Sequence, residues 1–307
     1  MTSTPGLPPG LLLLERGWLS ANNILLIGPD DTAMVDSGYC THAPQTLALV
    51  EAALEGRPLD QLLNTHLHSD HCGGNAALQQ RFPNLRTRIP PGEAQSVAHW
   101  DEEALSFRPT GQQCPRFNFQ GLLESGTTLR LAGRAWEVHS APGHDPHSII
   151  LFEPVSRTLL SADALWEKGF GVVFPELIGE ASFECVAATL DLIERLSPST
   201  VIPGHGRAFT DVVEALRFAR GRLAGQVADP SRHARHALKV LIKFKLMEVQ
   251  SISRTEWTQW IHETSYFELI RARFFDHEAL KEISEDLLAA LVLSRAAAMV
   301  GDRIENR

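Results

Sequence analysis

The sequence predicts a mixed α/β fold followed by a helical C-terminal region. Up to about residue 228, short apolar runs alternate with helical patterns. Several of those runs end in a Gly, Ala or Pro turn that presents a single His or Asp. Beyond Asp229-Pro230 the pattern changes to helices only.

The elements follow in order. Ile24 to Ile27 and Thr32 to Val35, joined by Gly28-Pro29-Asp30-Asp31, read as a hairpin. Pro44 to Leu54 is a helix with Pro44 in its first turn. Leu59, Leu62 and Leu63 form a short strand that ends at Asn64-Thr65. Gly73-Gly74-Asn75 then breaks the chain, and Ala76 to Gln80 restarts as a helix with Asn75 as its cap. Ser182 to Leu196 is an amphipathic helix capped by Ser182, and Asp211 to Leu223 is a helix capped by Asp211. Pro230 ends a helix and restricts Asp229, so residues 1–228 form one unit and residues 229–307 an appendage. In the appendage Ala237, Val240, Leu241 and Phe244 share a face. Ser253-Arg254-Thr255-Glu256 is a capping box ahead of Trp257, Trp260 and Ile261. Phe267, Ile270, Phe274 and Phe275 supply core bulk, and Asp276 opens a last helix through Leu293.

The chemistry concentrates in Thr65-His66-Leu67-His68-Ser69-Asp70-His71. The chain holds 13 His in 307 residues, so three imidazoles and a carboxylate in positions 66 to 71 are not a chance feature of a polar loop. Imidazole nitrogen with carboxylate oxygen is the ligand set that suits zinc, iron and manganese. A strand-to-helix junction is also where an α/β scaffold holds functional loops rigidly. Further ligands are expected from Gly143-His144 after Ala135 to Ser140, from Asp163 after Thr158-Leu159-Leu160, and from Pro203-Gly204-His205-Gly206 after Thr200-Val201-Ile202.

In this pattern the chain resembles the metallo-β-lactamase superfamily. The resemblance rests on His-x-His-x-Asp-His at His66, His68, Asp70 and His71, then His144, Asp163 and His205 in family order. Val35-Asp36-Ser37-Gly38 looks like the family's Asp-Thr-Gly element. It implies a four-layer αββα sandwich and two divalent metal ions per chain, zinc first, with iron and manganese as alternatives. By resemblance His66, His68 and His144 hold one ion, Asp70, His71 and His205 the other, and Asp163 bridges them, while Asp36 supports the metal loop from behind. The chain departs from the family at Asp145-Pro146-His147-Ser148, where a small Gly usually stands in place of His147. Asp145 is in position to orient a ligand His. His147 is read as a loop residue with a substrate-facing alternative. Cys72, beside His71, is read as packing rather than as a ligand.

Composition bounds the setting. Cys40, Cys72, Cys114 and Cys185 show no paired spacing, which fits a reduced, cytoplasmic location. Met1 to Gly10 lacks basic residues, and Leu11 to Leu14 is too short for a secretory core or a membrane span. No export and no membrane partner are expected. The formal net charge of −9 argues against nucleic-acid binding. Between Arg217 and Lys245, however, eight basic residues face one acid, Asp229. They are read as solvated helix faces, with a cradle for an anionic substrate tail as the alternative. Trp100 to Gly121 reads as a lid, and Trp166, Phe170 and Phe174 after Asp163 as candidate pocket aromatics. A homodimer stays open.

Metals in such a site ionise water at neutral pH, and Asp70 is placed to orient that nucleophile and move its proton. The expectation is hydrolysis of a small-molecule thioester, ester or lactone, without a serine or cysteine nucleophile. A phosphodiesterase of the same fold is the first alternative. The 41 residues between Asp163 and His205 leave no room for the inserted domain of large nuclease relatives. Diiron oxygen-reducing relatives place a Glu where His68 stands. A low-turnover ligand-sensing protein that keeps the metals is the non-enzyme alternative.

Overall fold

The computed structural model describes residues 6–307, so the first half of the Pro- and Gly-rich start lies outside the described residues. The first half of the chain runs β1 (Leu11–Leu14), β2 (Asn23–Ile27), β3 (Thr32–Val35), α1 (Ala43–Leu54), β4 (Gln61–Leu63), α2 (Ser69–Cys72), α3 (Asn75–Arg81), β5 (Arg86–Ile89), α4 (Ala94–His99) and β6 (Gly121–Leu122). Its strands form a six-stranded sheet in sequence order. Strands β1 to β3 are antiparallel, with the hairpin register Ile24 opposite Val35, and β3 to β6 are parallel. Next come β7 (Thr128–Leu131), β8 (Arg134–Ser140), β9 (Ile149–Glu153), β10 (Thr158–Ala162), α5 (Phe174–Ile178), α6 (Phe183–Leu196), β11 (Thr200–Pro203) and α7 (Val212–Ala228). These strands form a five-stranded sheet in the order β11-β10-β9-β8-β7.

The period-2 alternation of strand side chains builds four layers. Ile24, Leu26, Ala33, Val35 and Leu63 from the first sheet meet Trp136, Val138, Leu151, Leu160 and Ile202 from the second in one core. The intervening residues point outward. Leu25, Met34 and Leu62 pack on Val50 and Leu54 of α1 and Leu78 of α3. Ile150, Phe152, Leu159 and Val201 pack on α6 and α7 through Val186, Leu190, Ile193, Leu216 and Ala219. Each such side chain contributes roughly 1.5–3 kcal/mol by leaving water.

The C-terminal region comprises α8 (Pro230–Val249), β12 (Ser251–Ser253), α9 (Arg254–Glu263), α10 (Ser265–Phe274), α11 (Leu280–Leu293), β13 (Ala297–Val300) and β14 (Arg303–Asn306). Trp257, Ile261, Phe267, Ile270 and Phe275 are buried around Leu238, Leu241 and Ile242 of α8, and Trp260 and Phe274 are half-buried against them. The Ser253–Glu256 capping box is present. Two expectations are corrected. The region is not helical throughout: β12, β14 and β13 form a three-stranded sheet. These strands are three or four residues long; β13 and β14 form a hairpin across Gly301-Asp302, whereas β12 pairs with β14 some 50 positions on, and strands this short carry little alternation to announce them. The last helix opens after Ala279 rather than at Asp276, because the Glu282 carboxylate accepts from the Ala279 N–H and sets the cap there.

No helix among the described residues is long and apolar enough to cross a membrane. Replacing Leu160, between the two sheets, with Ala is expected to cost about 2–5 kcal/mol in a denaturant titration. A loss below about 1 kcal/mol would contradict the sandwich as the main core.

Candidate metal centre

Four turns bring the site together, and each follows a strand end. Residues 64–71 follow β4, Ala141–His144 follow β8, Asp163 follows β10 and Gly204–His205 follow β11. Strands β8 and β10 are both antiparallel to β9, and β11 is parallel to β10, so their C-terminal ends share one edge. A register shift between Leu160 and Ala162, with a left-handed Ala162 (φ 47°), turns Asp163 into the centre. Asp36 is also left-handed (φ 57°), a conformation that costs of order 1 kcal/mol and aims its carboxylate beneath residues 65–71.

Hydrogen bonds to the far ring nitrogens fix which nitrogens face inward. Thr65 Oγ1 donates to Asp36 Oδ2 (2.7 Å) and stands 3.1 Å from His66 Nδ1, which therefore donates to it. His71 Nδ1 donates to Asp36 Oδ2 at 2.8 Å, and His144 Nδ1 donates to the Val172 carbonyl at 2.5 Å. The Nε2 lone pairs of His66, His71 and His144 are left to converge on the site. His66 Nε2 lies 3.1 Å from His68 Nδ1, which lies 2.8 Å from His144 Nε2. On the other side, His205 Nε2 is 3.1 Å from Asp70 Oδ2. Asp163 faces both sides, with Oδ2 3.5 Å from His144 Nε2 and Oδ1 3.5 Å from His71 Nε2 and 3.8 Å from His205 Nε2. The Trp166 indole N–H donates to Asp163 Oδ1 at 3.2 Å.

Three overlapping groups have ligand atoms within 4.8 Å of one another: His66, His68 and His144; His66, His71 and Asp163; Asp70, His71 and His205. Ligand atoms about 2.1 Å from a tetrahedral ion stand roughly 3.4 Å apart, and the separations here bracket that value. Two buried ring nitrogens, His71 Nε2 and His205 Nδ1, have no hydrogen-bond partner, and the former points at two carboxylates. A cation beside His71 Nε2 would satisfy that ring nitrogen and the two carboxylates at once. The residues therefore fit divalent metal ions.

The electrostatics agree. Burial pulls the pKa of His68 and of His144 down to about 4 and holds that of His66 well below the ordinary value, so these rings are neutral donors. Burial opposes charge on His71, but Asp36, Asp163 and Asp70 outweigh it and hold its pKa well above the ordinary value. Burial likewise opposes ionisation of Asp163, yet His205 and His71 hold its carboxyl well below the usual range. The pocket demands positive charge where a cation would sit.

Backbone closeness matters at two glycines. A Cβ at Gly204 would overlap Asp163 Oδ1, and one at Gly171 would overlap the His144 ring. Asp145 stands 4.0 Å from His68 Nε2, too far for a hydrogen bond, and chiefly accepts from the His147 N–H at 2.8 Å. Cys72 packs, donating to the Leu67 carbonyl and lying 3.7 Å from Cys114.

The centre opens into a cavity of about 960 Å³, with His147, Trp166 and Phe174 among its lining. Phe170, expected there, is instead 1% exposed within the core beside α6 and α7. The expected lid is packed down: Leu105, Phe107, Cys114 and Phe117 are buried against Leu67, while Ala104, Ser106, Thr110 and Gln112 line the cavity. Sequence reasoning missed Trp18, which stacks on His205 at 5.3 Å, and Asn22, whose amide donates to the Pro203 and Gly206 carbonyls. It also missed Glu93, which lines the cavity with a buried, unpartnered Oε2. None of the three carries a local signal. The far wall comes from α8, through Val240, Leu241 and Phe244, and from Tyr266.

Residues 16–205 match the family described as Metallo-beta-lactamase superfamily. The chain is 30% identical over 193 residues to a protein of Synechococcus sp. (strain JA-2-3B'a(2-13)) named hydroxyacylglutathione hydrolase, a match covering 61% of this chain and 64% of that protein. The chain thus spans less than two thirds of that relative's length. The fold is similar to that of a metallo-beta-lactamase family protein from Thermus thermophilus, with a TM-score of 0.57, 21% identity and coverage of 98% and 99% of the two chains. It is also similar to a protein solved in a di-iron-bound form, with a TM-score of 0.54, 25% identity and coverage of 68% of this chain and 98% of that one.

Replacing Asp163 with Ala is expected to abolish metal loading, whereas His147→Ala should leave it intact. Asp36→Asn should weaken affinity about 10–100-fold, because it removes the charge that orients His71. Chelator competition reads all three, and loss of metal in His147→Ala would contradict the ligand assignment.

Proposed function

Because this chain belongs to the metallo-beta-lactamase superfamily, we propose that it is a metal-dependent hydrolase of thioesters, with other carboxylic esters and lactones as the neighbouring substrates. One observation carries the proposal: seven candidate ligand side chains from four turns converge in a cavity that Val240, Leu241 and Phe244 of α8 line in part. His66, His68 and His144 would hold one ion and Asp70, His71 and His205 a second, with Asp163 placed to serve both. The relative named hydroxyacylglutathione hydrolase supports acyl transfer from sulfur to water, and the di-iron-bound neighbour supports a pair of ions. Zinc is our first choice, with iron and manganese next. A divalent ion supplies a water whose pKa falls to about 7 and an electrophilic contact for a carbonyl oxygen.

The protein's own groups do the rest. Asp70 reaches the site with a carboxylate that is not fully buried, so it orients the attacking water and accepts its proton. A C–O bond forms, the C–S bond breaks, and the thiolate leaves to be protonated. Asp163 stays ionised, held by His205, His71 and the Trp166 N–H. Val172, Phe174 and Tyr266 exclude water on the acyl side. In this scheme residues 1–228 carry the metals, and the appendage of residues 229–307 supplies a wall through α8.

Metal analysis of the purified protein, run beside a panel of thioesters, lactones and phosphodiesters, tests this. About two ions per chain with thioester turnover is the expected result. Turnover confined to bis-aryl phosphodiesters would replace the proposal with a phosphodiesterase. Full loading without turnover would replace it with a ligand sensor.

A further inference from the structure

The eight basic residues between Arg217 and Lys245 do not behave alike. Arg217 pairs with Glu214, Arg220 with Asp191 and Glu194, Arg235 with Glu278 and Lys245 with Glu248. Lys243 donates to the Ala296 and Arg307 carbonyls. The other three, Arg222, Arg232 and Lys239, have no carboxylate partner among the described residues, and all three line one cavity of about 540 Å³ between α7, α8 and α11.

Helical spacing explains the convergence. Arg232, His236 and Lys239 stand at i, i+4 and i+7 on α8, facing Arg222 and Gln226 at i and i+4 on α7. Two buried acceptors of the same cavity, Gln226 Oε1 and His233 Nδ1, find no partner. Gln226 is 8% and His233 2% exposed. His233 Nε2 donates to the Val173 carbonyl, so its Nδ1 carries a lone pair that needs a donor. Among the described residues, the only carboxylate lining the cavity is that of Asp229, which caps α8 by accepting from the Arg232 N–H. Arg222 and His236 line both this cavity and the one above the metal centre, so the two are adjacent.

We propose that this cavity binds a phosphate ester on the thiol half of the substrate, so that the site takes acyl thioesters of a phosphate-bearing carrier. This rests on the hydrolase reading above. A single carboxylate ligand would leave the three cations under-compensated, whereas a phosphate brings up to two negative charges and several oxygens for the arginine forks. The O–H of a phosphate monoanion and a hydroxyl beside it donate to Gln226 Oε1 and His233 Nδ1. His236 stays neutral down to about 4, because burial, Arg222 and Lys239 all oppose its protonation. The cradle therefore keeps the same charge across the working pH range.

Calorimetric binding of adenosine 3′,5′-bisphosphate and of inorganic phosphate tests the cavity without turnover. Hydrolysis of an acyl-coenzyme A, set against the N-acetylcysteamine thioester of the same acyl group, tests its use. The paired variant Arg232→Ala/Lys239→Ala is expected to weaken bisphosphate binding at least tenfold and to lower the kcat/KM ratio between the two thioesters by a similar factor. Arg217→Ala, outside the cavity lining and paired with Glu214, should keep both. Inorganic phosphate binding as tightly as the bisphosphate would overturn the substrate-borne source. An unchanged ratio in the paired variant, or an oligouridylate binding more tightly than the bisphosphate, would overturn the proposal as a whole. If neither thioester is turned over by the metal-loaded protein, the hydrolase reading fails, while the calorimetry still decides whether the cavity takes phosphate.

Discussion

The structure depends on a set of buried imidazoles whose outer nitrogens are already committed to hydrogen bonds. Asp36 takes the His71 N–H and the Thr65 hydroxyl, Thr65 in turn takes the His66 N–H, and the Val172 carbonyl takes the His144 N–H. Each bond turns the other ring nitrogen inward, toward the site. Asp70 and Asp163 add negative charge to the same space. In a low-dielectric interior that arrangement suits divalent cations. The ligand set is thus a consequence of what lies behind it.

The scaffold places those turns with little freedom. The inter-sheet core locks β4, β8, β10 and β11 relative to one another, and each turn begins where its strand ends. Gly171 and Gly204 admit the closest approaches of backbone to ligand side chain. The site's rigidity therefore comes from sheet packing, whereas its specificity comes from elsewhere: the 104–112 segment, α8 and Tyr266 shape the cavity.

The readable parts of the sequence were the local ones. The His66–His71 cluster, the β2–β3 hairpin, the Asp211 cap and the Ser253 capping box each sit within a few residues of their own signal. The turns that carry His144, Asp163 and His205 are visible because each repeats one pattern, an apolar run ending in a turn. What escaped depends on partners far along the chain. Trp18 reaches His205 and Asn22 reaches Gly206 across more than 180 residues, and β12 finds β14 some 50 residues on. Phe170 was misplaced because an aromatic beside a metal turn looks the same in sequence whether it faces cavity or core. Its ring went to the core beneath Arg222. The basic stretch was countable but not divisible, since only tertiary pairing separates neutralised cations from free ones.

Anomalous diffraction from crystals of the metal-loaded protein, recorded on both sides of the metal's absorption edge, addresses the central claim most directly. Two peaks are expected, one among His66, His68 and His144, the other among Asp70, His71 and His205, both within reach of Asp163. Peaks confined to surface histidines such as His277, with the inner rings bonded only to one another, would contradict it.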